Sequence, residues 1–161
     1  MSKTILVDPA KCTGCRICEN ACSLTKNQEC NPARSRIKVW REEGRGIFIP
    51  ILCAHCTEPP CLFACPMGLI SRDQVSGVVM ARETACIGCK ACLISCPFGA
   101  VSFDGGRGVA VRCDQCQGDP VCVKFCPTGA LQFVRTELAD LPRRRQMAAR
   151  LGESVAAARD F

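Results

Sequence analysis

The sequence is poor in aromatic residues and has no long apolar run, and both deficits narrow the possible functions. Its 161 residues include no tyrosine, one tryptophan and one histidine. No aromatic platform or recognised motif for nucleic acid is present, so we expect no nucleic-acid partner. No stretch approaches the ~20 apolar residues that span a bilayer, so we expect no membrane segment. The N-terminal MSKTILVDPAK has no apolar region after its lysine, and we therefore expect no signal peptide.

Catalytic motifs are also missing. The glycine-rich segment GGRGVAV lacks the spacing of a dinucleotide-binding loop or a phosphate-binding P-loop. No Ser/His/Asp or Cys/His arrangement can be assembled either. We therefore predict that the chain is not an enzyme by itself. Without its cysteines the chain is only roughly 37% apolar, which is little for a core made of side chains alone.

Cysteine is the residue present in excess, with 17 in the chain. Disulfides in a secreted protein and metal in a cytoplasmic one are the competing explanations. The lack of a signal peptide favours a cytoplasmic chain, where thiols stay reduced, and hence metal.

Sixteen of the cysteines fall into four runs. The third run reads CIGCKACLISCP, the C-x2-C-x2-C-x3-C-P pattern of bacterial iron–sulfur proteins. The runs are Cys12, Cys15, Cys18 and Cys22; Cys53, Cys56, Cys61 and Cys65; Cys86, Cys89, Cys92 and Cys96; and Cys113, Cys116, Cys122 and Cys126. Zinc is the main rival, but structural zinc sites use CxxC pairs separated by long loops. Sixteen thiolates match four [4Fe–4S] clusters, and the formal charge of +6 would offset most of their negative charge.

The runs belong to an internal repeat, because similar segments leave the second, third and fourth runs: CPMGLI, CPFGAV and CPTGAL. In two-cluster ferredoxins the fourth cysteine of a run ligates the other cluster. The second and third runs resemble one ordinary two-cluster unit with a short hairpin between them. The first and fourth would then form another unit, split by insertion of the former. We predict an α+β fold of two nested ferredoxin-like units.

Over about residues 3–134, this layout resembles the four-cluster electron-transfer subunits of multi-subunit oxidoreductases. In that family the first run pairs with the fourth and the second with the third. The resemblance implies four ligand sets: Cys12, Cys15, Cys18 and Cys126 (cluster a); Cys113, Cys116, Cys122 and Cys22 (cluster b); Cys53, Cys56, Cys61 and Cys96 (cluster c); and Cys86, Cys89, Cys92 and Cys65 (cluster d).

The repeat and the resemblance together predict four segments. An outer two-cluster unit takes residues 1–30 and 105–135, a connector with a β-hairpin takes 31–52, and an inner two-cluster unit takes 53–104. Residues 136–161 form a C-terminal helical tail, with Met147, Leu151 and Val155 at helical spacing. This tail either packs on its own domain or docks a catalytic subunit or a second copy of the chain.

The function implied by the resemblance is electron relay between a catalytic oxidoreductase subunit and another redox subunit or carrier. The short connector favours a form without a membrane anchor, as beside tungsten aldehyde oxidoreductases; hydrogenases and molybdopterin enzymes are the alternatives. A free-standing polyferredoxin and an iron–sulfur assembly or sensor protein are further hypotheses.

Four more residues carry expectations. Cys30 lies outside the runs, and we predict that it is buried or half-buried, since free cysteine packs as a small apolar residue. His55 either donates to a cluster sulfur or faces solvent. Gly14 and Gly88 are expected to allow close approach of the backbone to the cluster, with amide donation to sulfur.

Overall fold

A computed structural model describes residues 2–138 of the chain. From residue 139 onward, the predicted C-terminal helical tail lies outside the described residues, and so does its proposed self-association. Its first three residues, Thr136–Leu138, form a short 3-10 turn.

The described residues form a small α+β structure of short antiparallel strand pairs and few helices. Its strands pair two by two, so that β2–β3, β4–β5 and β6–β7 are hairpins and β1 pairs with β8. The strands are β1 (Lys3–Val7), β2 (Lys38–Glu42), β3 (Ile47–Ile51), β4 (Ile70–Arg72), β5 (Val79–Ala81), β6 (Ser102–Asp104), β7 (Val109–Val111) and β8 (Leu131–Arg135). The connector hairpin is therefore confirmed. The β1–β8 register runs from Lys3 opposite Arg135 to Val7 opposite Leu131, which places both ends of the described chain side by side.

Each cysteine run contributes one helix: α1 (Ile17–Asn27), α2 (Pro60–Phe63), α3 (Ala91–Ile94) and α4 (Val121–Lys124). The first helix has eleven residues and the others four. Proline follows the fourth cysteine of the second, third and fourth runs, and a helix ends before a proline because proline lacks an N–H and its ring clashes with the preceding turn. The first run has Ser23 at that place, fully buried, and its helix continues.

The buried residues form two clusters, and cysteines belong to both. The first cluster combines cysteines of the first and fourth runs with Ile37, Val39, Leu52 and Leu131. The second combines Cys61 and Cys92, of the second and third runs, with Ile70, Val79, Val101 and Ala110. We call them the first and second core. Cysteine thus takes up much of the space that larger apolar residues fill in most domains.

A network of ion pairs joins residues around the two cores. Asp104, at the end of β6, is 2% exposed and pairs with Arg34 at 2.9 Å and Arg107 at 2.8 Å. Burial raises the pKa of Asp104, but the hydrogen bonds from Arg107 and Arg34 outweigh it and lower that pKa to about 2. The charge network comprises Asp104, Glu83 and Asp114 with Arg34, Arg36, Arg107 and Lys26. It connects the segment after α1 to the second core.

Candidate metal centres

Four cavities are each lined by four cysteines, three from one run and the fourth from another. Cavity a is lined by Cys12, Cys15, Cys18 and Cys126, cavity b by Cys113, Cys116, Cys122 and Cys22, cavity c by Cys53, Cys56, Cys61 and Cys96, and cavity d by Cys86, Cys89, Cys92 and Cys65. Their volumes are about 320, 290, 340 and 440 Å³, counting space open to solvent. The structure thus brings together the same four sets that the family resemblance implies; the ligation itself stays a prediction.

The compact runs curve around their cavities because a left-handed residue precedes each helix. Arg16 has φ 59° before α1 and Lys90 has φ 61° before α3. Two residues earlier, Gly14 and Gly88 have φ 71° and 70°. A Cβ on Gly88 would lie 2.5 Å from the carbonyl oxygen of Gly108, closer than atoms can pack. Both positions therefore require glycine, and the predicted approach of their backbone to a cluster stays a prediction.

The expanded runs start their helices with proline instead. Pro59 and Pro60 occupy the N-cap and first turn of α2, and Pro120 is the N-cap of α4. Proline suits these positions because its fixed φ matches the helix and its missing N–H would have no partner there. Proline thus takes the position before the helix that a left-handed residue holds in the compact runs, while His55 and Gln115, two residues after the first cysteine of their runs, keep a positive φ. The third cysteine still falls on the first helical turn.

Several N–H groups point at cysteine sulfur. Backbone amides donate from Arg36 to Cys22 Sγ at 3.4 Å, from Leu69 to Cys65 Sγ at 3.5 Å and from Gln115 to Cys113 Sγ at 3.4 Å. Amide donors stabilise thiolates and tune the reduction potential of bound clusters. The donation expected from Gly14 and Gly88 is not among these contacts.

Burial dominates the titration of several thiols. It raises the pKa of Cys18 and of Cys122 to about 12, so both are neutral thiols while nothing is bound. Cys126 differs, because the backbone N–H groups of Leu131 and Ala130 and the Thr128 hydroxyl outweigh burial and lower its pKa. Since metal sites need thiolate, cluster binding at cavities a and b must release protons.

The donor set of each cavity fits a [4Fe–4S] cluster. Four thiols surround each space, and all-cysteine ligation is what such clusters require. Among residues 2–138, no three His, Cys, Asp or Glu side chains converge closely enough to hold a single metal ion. The other lining residues are mostly apolar or proline, as around cavity c, where Pro59, Val79 and Val101 contribute. The cysteines therefore encircle each cavity instead of meeting at one point.

Arg112 is a site residue that motif reasoning missed. It lies between β7 and Cys113, is 2% exposed, lines cavity d and donates from Nη1 to Cys61 Sγ at 3.1 Å. Burial raises the pKa of Cys53 and of Cys92, while the positive charge of Arg112 acts in the opposite direction on both. The available signal was a charged residue ending the apolar strand VAVRC.

His55 contradicts one of its two expectations, because its ring does not face solvent. Its Nδ1 accepts a hydrogen bond from the N–H of Val79 at 3.0 Å, which requires a neutral ring with the proton on Nε2. Burial lowers its pKa to about 4; Asp114 opposes the shift and Arg112 adds to it. The solvent-facing alternative is wrong because the ring is packed against β5. Nε2 is buried and has no partner among residues 2–138, so donation from Nε2 to a cluster sulfur stays a prediction.

Cys30 is exposed, so the prediction that it is buried is wrong. It follows the left-handed residue Gln28, which ends α1, and the chain there turns across the surface. Cys30 lines none of cavities a to d.

Two family models match the chain. The model described as "4Fe-4S dicluster domain" covers residues 45–136, and one described as "4Fe-4S binding domain" covers residues 9–26. Within residues 2–138, no helix has the length and apolar character that crossing a membrane requires.

Curated relatives include the polyferredoxin-like subunit of an aliphatic sulfonate oxidoreductase from Pyrococcus furiosus, 43% identical over 76% of this chain and 70% of the relative. The putative electron transport protein YsaA of Escherichia coli K12 is 38% identical over 91% of this chain and 98% of its own length. The beta subunit of an NADH-dependent phenylglyoxylate dehydrogenase from Aromatoleum evansii is 39% identical over 83% of this chain. The match spans only 30% of that subunit.

Solved structures with the same fold come from the active-site complex BamBC of benzoyl coenzyme A reductase. One, in complex with zinc, matches with a TM-score of 0.51 and 30% identity over 99% of this chain and 98% of the other. Another, in complex with 1,5-dienoyl-CoA, gives 0.50 and 28% over 82% and 75%.

Proposed function

Because the chain belongs to the family of 4Fe-4S dicluster domains, we propose that it is an iron–sulfur electron-transfer subunit of an oxidoreductase complex. Relatives of similar length support this role, since one is named a polyferredoxin-like subunit of an oxidoreductase and another an electron transport protein. In this role the chain moves electrons and leaves substrate chemistry to another subunit. A cytoplasmic location suits thiols that must stay reduced.

The observation that carries the proposal is the ring of four cysteines around each of cavities a to d. We assign one [4Fe–4S] cluster to each cavity, with the ligand sets given above. Sixteen thiolates then serve four clusters and only Cys30 stays uncommitted.

The same assignment divides the chain into nested units. The outer unit comprises residues 1–30 and 105–135, the inner unit 53–104, and the connector hairpin 31–52. Pairing of β1 with β8 and the separation of the cysteines into two cores support this division. The fourth cysteine of each run crosses to its partner cluster, and these exchanges hold each unit together.

The clusters supply one-electron chemistry, and the protein's own residues keep it confined. Apolar side chains and proline around cavity c limit access of water, and low local polarity strengthens every charge interaction with the site. Backbone amides at Cys22, Cys65 and Cys113 stabilise the ligating sulfur. The chain therefore transfers electrons between two redox partners through clusters that are shielded from water.

We further propose that the catalytic partner carries tungstopterin, as in tungsten-dependent aldehyde oxidoreductases. The short connector supports this choice. Purification of the tagged chain from its own cells, without oxygen, tests it: a large subunit with tungsten should accompany the chain. Molybdenum in the accompanying subunit would instead indicate a molybdopterin enzyme, and nickel a hydrogenase. Recovery of the chain alone would favour a free-standing polyferredoxin.

Iron analysis tests the clusters independently of the partner. The anaerobically purified chain should contain about sixteen iron and sixteen inorganic sulfide per chain, four of each per cluster. About eight iron per chain would contradict the assignment of four clusters, since only one two-cluster unit would then be real.

A further inference from the structure

The side chain of Arg112 is a buried cation whose hydrogen-bonding groups are only partly satisfied. It is 2% exposed. Nη1 donates to Cys61 Sγ at 3.1 Å, but Nε and Nη2 are buried and have no partner among the described residues. An unsatisfied buried donor destabilises the fold, and a charged one more than a neutral one. A bound group that supplies acceptors and negative charge would satisfy these donors.

The position of Arg112 identifies that group. Its contact with Cys61 places one edge of the guanidinium at cavity c, and the same side chain lines cavity d. The next residue, Cys113, belongs to cavity b. Within residues 2–138, the ion pairs of the structure account for the neighbouring arginines Arg34, Arg36 and Arg107, whereas Arg112 pairs with no carboxylate. Thiolate and sulfide of clusters c and d are the anions within reach.

We propose that Arg112 is a positioning residue that lies between clusters c and d, donates to their sulfur atoms and raises their reduction potentials relative to clusters a and b. This inference rests on the proposed function, because it needs clusters in both cavities. Each cluster gains one electron on reduction, supplied by the partner subunit in the cell and by dithionite in the test. No proton needs to move, since the fixed guanidinium charge stabilises the added negative charge.

The consequence is an uneven distribution of electrons. A fixed positive charge stabilises the reduced form more than the oxidised form, because the reduced cluster carries one more negative charge. Clusters c and d should therefore fill before clusters a and b. At equilibrium clusters c and d hold the electrons, and clusters a and b exchange electrons with the redox partner.

Redox titration followed by electron paramagnetic resonance tests this on the complete, cluster-loaded chain. In Arg112→Gln, which keeps N–H donors and removes the charge, two of the four clusters should become harder to reduce. A tenfold change in their reduction equilibrium corresponds to about 59 mV for one electron. Arg112→Lys keeps the charge and should stay much closer to the wild-type potentials. The control Arg45→Gln removes a charge from the connector hairpin, where the side chain is 71% exposed, and should shift nothing.

The outcomes separate this inference from the proposed function. Wild-type iron near eight per chain would contradict the assignment of four clusters, on which this inference rests. Sixteen iron per chain with unchanged potentials in Arg112→Gln would overturn only the role of Arg112. If Arg112→Gln fails to retain iron, Arg112→Met and Arg112→Lys decide. If Arg112→Gln and Arg112→Met each lose about eight iron per chain while Arg112→Lys keeps sixteen, the role of the positive charge is supported. If all three variants lose the same amount of iron, that role is overturned.

Discussion

Neutralising Asp104 removes the most buried carboxylate of the charge network. Its Oδ2 accepts from Arg34 Nε and Nη2 at 3.0 and 2.9 Å and from Arg107 Nε at 2.8 Å. Its Oδ1 accepts from the backbone N–H groups of Gly106 and Arg107 at 3.1 and 3.2 Å. The substitution Asp104→Asn keeps an oxygen for this turn and removes the charge that holds both arginines. We expect faster unfolding with little change of the native structure.

The size of the effect follows from the environment of the two arginines. Breaking a fully buried ion pair costs about 3–5 kcal/mol. The side chains of Arg34 and Arg107 are 28% and 41% exposed, and each keeps a second partner, Glu29 and Glu83 respectively. The expected loss is therefore smaller, about 2–3 kcal/mol. If the network breaks before the transition state of unfolding, the unfolding rate rises by about one and a half to two orders of magnitude.

The assay is unfolding in guanidinium chloride without oxygen. Fluorescence of Trp40, the sole tryptophan, reports the protein, and visible absorbance reports the clusters. Glu43→Gln is the control, because the side chain of Glu43 is 74% exposed in its pair with Arg41 and should contribute less than about 1 kcal/mol. An unfolding rate of Asp104→Asn within twofold of this control would refute the reasoning.

The pH dependence gives a second check on Asp104. Its folded-state pKa of about 2 lies below the unfolded value, because Arg107 and Arg34 overcome the effect of burial. The unfolded state therefore binds the proton more readily, so the stabilisation is complete above about pH 4 and is lost as the pH falls towards 2. The ratio of unfolding rates between variant and wild type should be constant from about pH 8 to 5 and should approach one only below about pH 2.

Two other substitutions test the cysteine runs and the position outside them. Cys30→Ser should leave the iron content unchanged and abolish labelling of the cluster-loaded chain by a thiol reagent, because Cys30 is the exposed thiol that lines none of cavities a to d. Remaining labelling would mean that other cysteines do not ligate a cluster. Gly88→Ala combines a strained positive φ with a Cβ 2.5 Å from Gly108 oxygen, and should lose about four iron per chain. The control Gly46→Ala has a similar φ of 63° with open space around it and should keep its iron; equal iron in both variants would contradict the packing argument.

Local spacing predicted much of this molecule. The four cysteine sets that meet in the structure follow from the run pattern and the family resemblance, and the connector hairpin follows from alternating apolar residues around a turn. Helix lengths also have a local cause, because Ser23 stands where the other runs have proline. The hairpin and the helix lengths depend on residues only a few positions apart, where steric and capping rules act directly. The cysteine sets join distant runs, and only the family resemblance supplied their pairing.

The features that sequence reasoning missed depend on contacts between distant residues. Arg112 meets Cys61 across 51 positions, and Arg34 meets Asp104 across 70. The hydrogen bond that His55 accepts was not predicted, because its donor is the backbone N–H of Val79, 24 positions away. Cys30 was predicted from the average behaviour of free cysteine, which the turn after α1 overrides. No local pattern encodes such pairings.

The pairing of β1 with β8 constrains the order in which the chain can mature during synthesis. Cavities c and d draw their cysteines from one continuous segment, Cys53–Cys96. Cavities a and b need cysteines from both ends, and β1 must wait for Leu131–Arg135 to leave the ribosome. Contacts at such sequence separation form late, because the intervening chain must be closed into a loop first. Cavities c and d can thus be complete while cavities a and b still lack cysteines. The N-terminal strand β1, although it is synthesised first, is among the last segments to find its partner.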